Sequence, residues 1–480
     1  MKRLSKYLFL ILVTLIPPGL YGQYKGFDLS RYKLPDIKIN RLDANVNLSN
    51  DASSNSYEIS NADSSEMKNN SFQGDLNLNY YHFRNTEKYQ GDLQITLFGN
   101  TNPYKYRDDA VYSTRNIQNE NLSVSSTNRF YNQKLNFIEA DPQASVNKSV
   151  NKSYYEDMGN YSRKECDDQY TTNISIPVSV GHGRIEPVED LRLAIYILEE
   201  LNKAGRIDSL PSDEVVLDMA RQISAIKRKR FFDTRLKKIR ELQVIDSFLI
   251  ANRVIKPADI TYFAVLNDQW DYASGPPRST GFAVNAGIDN GFHSGYASLA
   301  TSIDAAEPDK SISTQNIWEI GGFFQARYYK PVNLYWQTSV IFLVSYEREF
   351  ARDPRDEDNP FRNYETNILN TSLGYSLQFL PNSRTSVELS FSGSYWNSSG
   401  TRTISTPLPS QYQMKDNTFT LLAGLGMYYY ISPQFRIQLN SSLSYYTRND
   451  VNSRSTQPDI RYLMNSFHNN FALTLIYSFF

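Results

Sequence analysis

Side chains able to do chemistry are sparse in this sequence. Four histidines stand far apart, at His82, His182, His293 and His468. Only His468 falls near the outer rim, where Asp459 could join it, and two residues near one strand do not make a catalytic constellation. They define a hydrolase alternative at the outer rim. The single cysteine, Cys166, excludes a disulfide framework and any cysteine-rich zinc or iron–sulfur site. The acidic run Asp353, Asp356, Glu357, Asp358 lacks the glycine and the spacing of a calcium loop. The segment Gly181–Pro187 lacks the glycine spacing and the lysine of a phosphate loop; either Arg184 or Glu186 in it pins the helices to the barrel rim, or it is a plain solvated connector. The expectation is therefore no catalytic residue, no metal and no cofactor, in a chain that is not an enzyme.

Charges offer two other candidates. Lys227, Arg228, Lys229, Arg230, Arg235, Lys237, Lys238 and Arg240 lie close together, with only Asp233 acidic among them. Either they are a solvated helical face whose stems cover apolar surface, or they dock an anionic partner: a periplasmic protein, an anionic polysaccharide or a lipid surface. Nucleic acid is not expected, because acidic and basic residues nearly cancel, 51 against 50. The second set is Asp92, Glu319, Arg327, Glu388 and Arg436. Each falls on the polar face of an alternating segment, so each is a candidate for the wall of a water-filled lumen.

These residues need elements to hold them. Only 40% of the chain is apolar, yet 14% is aromatic, with 35 tyrosines. That is too polar for one large core and too aromatic for disorder. Lys2, Arg3 and Lys6 precede the apolar run Tyr7–Ile16, broken by Pro17 and Pro18, with Gly22 ahead of a cleavage point: a secretory signal peptide over 1–22, followed by a periplasmic segment over 23–37. Beyond it, Leu334–Tyr346 is too short and too interrupted for a membrane helix. Most of the chain instead alternates with period two. Val387, Leu389, Phe391 and Tyr395 alternate with Glu388, Ser390, Ser392 and Ser394, and Leu369, Leu373, Tyr375 and Leu377 behave alike. Such strands run about 10–15 residues, where a tilted membrane strand needs about 9–11 and a soluble one averages about 5–6.

Connections alternate between tight turns, at 330–332, 381–383, 432–433 and 290–294, and long polar stretches, among them 49–72, 140–169, 347–365 and 448–465. Counting back from the C-terminus places strands at 465–480, 434–448, 416–431, 385–396, 366–380, 333–346, 315–329, 294–304, 280–290 and 262–272. Six more fall at 38–48, 73–83, 89–99, 117–128, 129–139 and 170–180. The result is an all-β transmembrane barrel of about 16 antiparallel strands, with 14 as the alternative count, built from residues 38–180 and 258–480. Residues 181–257 break the pattern. Leu191, Ala194, Ile195, Leu198 and Leu201 follow at helical spacing after Pro187, Gly205 stops them, and two further amphipathic runs complete a small periplasmic α-helical insert. Tyr and Trp gather at both strand ends, as the two interfacial girdles of a barrel do.

The chain ends Phe471-Ala-Leu-Thr-Leu-Ile-Tyr477-Ser-Phe479-Phe480. This closing amphipathic strand with a terminal aromatic resembles the C-terminal signature of Gram-negative outer-membrane β-barrel proteins. Tyr477 and Phe479 share one face, and Phe480 falls on the other. The resemblance implies insertion by the barrel-insertion machinery, outer-membrane lipid as surroundings, and a location in the outer membrane with the helical insert in the periplasm. It identifies a class and no specific member. The leading expectation is a channel or exporter for a polar solute, with the helices gating it or docking a partner. The rival is a non-conducting surface anchor or adhesin.

Overall fold

The computed structural model describes residues 27–57, 65–107, 111–157, 161–207, 209, 211–227, 234–255, 259–271, 278–304, 306–352, 364–404, 410–432, 435–454 and 457–477. The expected signal peptide, the run Asp353–Asp358 and the cluster Arg228–Arg230 lie outside them. Among the described residues sixteen strands form one antiparallel sheet. The first eight are β1 (Ile37–Tyr57), β2 (Ser65–Asn85), β3 (Tyr89–Arg107), β4 (Val111–Tyr131), β5 (Asn136–Ala140), β6 (Gln143–Asp157), β7 (Tyr161–Ser175) and β8 (Val178–Pro187). Four helices follow: α1 (Glu189–Lys203), α2 (Asp213–Lys227), α3 (Thr234–Ala251) and α4 (Ile260–Asp271). The sheet resumes with β9 (Ser279–Ile303), β10 (Asp309–Pro331), β11 (Trp336–Arg352), β12 (Tyr364–Phe379), β13 (Thr385–Ile404), β14 (Ser410–Tyr430), β15 (Phe435–Arg454) and β16 (Gln457–Tyr477). Among the described residues no helix is long and apolar enough to cross a membrane.

Two pairs of short strands act as single staves. β4 pairs β5 near its end at Tyr131 and β6 over the rest, and β9 pairs β8 and then β7 in the same way. The breaks fall at Asp141-Pro142 and Ile176-Pro177, because proline has no N–H to give a ladder. The neighbouring donors stay satisfied: Ser126 N–H reaches Pro142 O at 3.0 Å and Asp141 N–H reaches Pro177 O at 3.0 Å. Sixteen strands thus make fourteen staves, and both numbers of the sequence reading describe the same sheet.

The strand count agrees with the expectation, but not every strand is where it was expected. The expected strand 262–272 is helix in its described part, residues 262–271, which belong to α4. Ile260, Tyr262, Phe263 and Val265 have strand-forming types, yet Tyr262, Leu266 and Trp270 are buried at helical spacing, and Asp259 caps the Tyr262 N–H at 2.9 Å. The segment 290–294 is no turn, since β9 runs straight through it. The supposed loop 140–169 is the hairpin β6–β7, whose upper rows are polar on both faces and so carry no alternation to read.

Register sorts every stave into two faces. One face carries Leu97, Leu122, Val146, Ile174, Ile288, Ile320, Phe324, Leu373, Phe391 and Leu443, all exposed. Pairings place them on a single surface: Leu97 opposite Leu122, Leu122 opposite Val146, Leu373 opposite Phe342. Water-soluble monomers rarely expose apolar patches beyond a few hundred Å², whereas a membrane barrel is expected to. From Phe130 up to Leu122 the belt spans about nine residues of β4, the length of a tilted membrane strand. The other face is small and polar. The N-terminus of β1, the C-terminus of β16, the tight turns and the helices share one end. Replacing Leu122 by Arg is expected to cost about 2–4 kcal/mol in urea unfolding of lipid-refolded protein, the scale for a charge on the lipid face. Ser123→Arg, one residue on and facing inward, leaves stability close to wild type.

Candidate lumen and its helical cap

All five charges expected on the lumen wall share the inward face. Asp92 sits opposite Thr127, Glu319 opposite Glu349, Arg327 opposite Ala283 and Ile341, Glu388 opposite Gln378, and Arg436 opposite Tyr430. Their surroundings differ. Glu319 belongs to an acidic patch with Asp289, Glu347 and Glu349 on β9–β11. Its side chain lies over Gly291, where an added Cβ would meet Glu319 Oε2 at 2.8 Å.

Arg327 is not a free cation. Its guanidinium lies 4.0 Å from Glu139, which is 2% exposed and already bound to Arg129. Asn285 donates to the other oxygen of Glu139 at 3.1 Å and to Ser179 at 3.1 Å. This inward cluster sits beside the breaks between β5 and β6 and between β7 and β8, and crosslinks β4, β5, β8, β9 and β10. Sequence reading missed Arg129 and Glu139, whose only signal was inward parity, at the end of β4 and on the short β5. Arg436 stacks near Tyr430, 5.8 Å from the ring, and donates to its hydroxyl at 3.2 Å. Glu388 lines a cavity of about 570 Å³ with Gln337, Ser339, Ser376, Gln378, Ser386, Gln438 and Asn440.

The helices lie against the turns at the short end. Helix α1 begins after Pro187 with Glu189 and Asp190 in its first turn, where acids favour the helix dipole. It ends at Gly205, φ +67°, with Arg206 N–H on Leu201 O at 2.8 Å. From Asp190 through Glu199 every residue is buried, the state of a helix enclosed on all sides. One flank packs on α2 and α4 through Leu191, Ile195, Met219, Ile223 and Leu266. The other meets the sheet: Tyr196 Oη donates to Leu380 O at 2.8 Å in the β12–β13 turn. Burial pushes that phenol up to about 12. Arg384 of the same turn pairs with Asp268 of α4 at 2.5 Å. Tyr32, ahead of β1, inserts against Ser224 of α2 at 2.7 Å, and burial raises its pKa.

Arg278 is the strongest tie. It is fully buried. It donates to Gln337 Oε1 at 3.1 Å, to Trp336 O at 2.9 Å, and to Leu334 O and Asn333 O in the β10–β11 turn. Burial pulls its pKa down to about 9, so the guanidinium stays charged at neutral pH. Its own carbonyl accepts from Val188 N–H at 2.7 Å, which clamps the chain's exit into the helices to its return. Arg184 does not pin the helices to the rim as expected: it bonds Glu186 at 2.6 Å, Glu87 O at 2.8 Å and Asn85 at 2.8 Å, and so ties β8 to the β2–β3 turn.

The basic cluster divides. Lys227 turns inward, 2.7 Å from Asp190, which also accepts from Ser224, so it does not face a partner. Arg240 is exposed on α3 and Lys238 half-buried. The side chains of Arg235 and Lys237 fall outside the described residues. His82, His182 and His293 each bond an asparagine, Asn40, Asn136 and Asn173. His468 is exposed on β16. Among the described residues no three His, Cys, Asp or Glu side chains gather as a metal site.

No protein-family model matches the chain, and no curated protein matches it. Among solved structures, the CymD monoaromatic hydrocarbon channel aligns over 93% of this chain and 89% of that one, with 11% identity and a TM-score of 0.21. A superposition that loose carries no weight, and the barrel class stands on the sheet alone. Arg278→Met removes a charged donor from three carbonyls and is expected to weaken cap docking by about 3 kcal/mol, the scale of hydrogen bonds to a charged group. Limited proteolysis should then cut the 204–259 region faster while the strands stay protected. Equal cleavage rates would remove Arg278 from this role.

Proposed function

We propose that this chain is an outer-membrane channel for a polar solute, with its short-turn end in the periplasm and its helices acting as a gate across that mouth. The observation that carries the reading is α1, buried on both flanks between its own bundle and the barrel's turns, beside a lumen wall of Ser, Gln and Asn. A plain surface anchor needs no such cap on a polar lumen. On this reading the chain carries a solute and does not transform it. An export signal, the barrel-insertion machinery and a location in the outer membrane belong to the same proposal. Arg240, with the exposed Ile239, Ile250, Ile260 and Phe263, forms the outer surface of the cap, where a periplasmic protein or an anionic polysaccharide docks.

Planar-bilayer recording tests the proposal. Wild-type protein is expected to open rarely, and Arg278→Met or Arg384→Ala to raise open probability severalfold. Silence from all three, with the fold intact, sinks the channel and favours the anchor. The acidic patch predicts cation preference. Glu319→Gln with Glu349→Gln should lower the cation-to-anion permeability ratio, because lumen charges tune selectivity, and an unchanged ratio removes the patch from the conduction path.

A further inference from the structure

The outward face changes character above the apolar belt. The row Glu120, Lys148, Tyr170 and Tyr296 sits directly above Leu122 and Val146. Lys148 is 4.0 Å from Glu120 and 5.9 Å from the Tyr170 ring. Two rows higher, Lys152 pairs with Cys166, Cys166 with Ala300, and Ala300 with Lys310. One row above that, Lys105 pairs with Thr114, Thr114 with Tyr154, and Tyr154 with Lys164. Four lysines from β3, β6, β7 and β10 therefore share the lipid-side face, just beyond the hydrocarbon.

All four are exposed, and among the described residues no carboxylate lies within 4.0 Å of any of them. Lys105 and Lys164 rest 5.4 Å and 5.7 Å from the rings of Tyr112 and Tyr154. Three of the four, Lys105, Lys152 and Lys164, line a groove of about 740 Å³ whose apolar side is Phe72, Pro103 and Ala300. The acids nearby are engaged or few: Glu165 at the groove binds Arg163, Glu156 accepts from Tyr154 Oη at 2.7 Å, and Asp168 lies below, next to Cys166. On the opposite wall the same region carries Arg348, matched by Glu365 at 2.7 Å, and the exposed Lys415 and Arg461 on either side of Val451.

We infer that this groove binds the phosphorylated headgroup of an outer-leaflet glycolipid. The lysines hold phosphate, the tyrosines mark the interface, and the apolar side receives the start of the acyl chains. Cations facing the lipid side above the hydrocarbon have no use for a solute in the lumen, and their charge complements an anionic leaflet. The inference rests on the outer-membrane orientation proposed above, and its test is independent of conduction.

The test uses full-length protein in neutral detergent, titrated with bisphosphorylated lipid A and followed by native mass spectrometry and thermal shift. Lipid A is expected to bind and raise Tm. The triple variant Lys105→Gln/Lys152→Gln/Lys164→Gln should bind roughly a hundredfold more weakly, at about fivefold per lysine near an anionic surface. Dephosphorylated lipid A and inorganic phosphate should each bind far less. Equal binding of lipid A by wild type and triple variant, or equal binding of the dephosphorylated lipid, overturns the inference. If the triple variant does not fold, Lys152→Gln alone gives the same reading at about fivefold. Conductance of the triple variant should match wild type, so loss of lipid binding and loss of the channel are separate outcomes.

Discussion

Everything in this molecule follows from one constraint: a backbone amide or carbonyl in hydrocarbon must find a partner in the protein. A sheet meets it only by continuous ladders, so the chain keeps pairing across places that look like interruptions. At Pro142 and Pro177 two staves change strand without losing their neighbours, because β4 and β9 run unbroken past both breaks. Inside these breaks sits Glu139, held between Arg129 and Arg327. Polar groups face inward there because only inward can charge be met by charge and water. The same constraint leaves the outer face free to be apolar over the thickness of the membrane and polar above it.

The cap obeys different rules. Outside the bilayer, α1 is held by ordinary burial on one side and by fixed polar ties on the other. Leu191, Ile195, Met219 and Ile223 would hold the bundle together wherever it sat. Tyr196, Arg278 and Arg384 decide where it sits, and each reaches a turn of the barrel. A packed core resists small deformation, whereas a few ties to turns can be released together.

The sequence told much about the barrel and less about its fittings. Alternation identified β10–β15, because strands in lipid carry one apolar face and that face has period two. It failed for β6 and β7, whose upper halves stand above the membrane with polar residues on both faces. It failed for α4 because Ile260–Val265 has strand-like residue types, and the deciding signals were a cap at Asp259 and burial at Tyr262, Leu266 and Trp270. Inward parity located Asp92, Glu319, Arg327, Glu388 and Arg436, since parity is local. It could not pair Arg327 with Glu139, which lies 188 residues earlier and three staves away. Nor could composition reveal that Lys227 turns inward, because Asp190 meets it only once α1 and α2 pack.

The sheet's two edges close the argument. No ladder joins β1 to β16 among the described residues, and both edge strands carry exposed apolar side chains, Val46 and Leu48 on one, Phe467 and Phe471 on the other. Two unpaired edges cannot both face acyl chains, because each would leave a row of unmet N–H and C=O groups. β1 rises from the short-turn end and β16 returns to it, and with fourteen staves the two run antiparallel. They are each other's available partners. In hydrocarbon, pairing β1 with β16 turns the sheet into a cylinder, and it places the outward Phe467, Phe471 and Leu473 in one belt with Leu97 and Leu122.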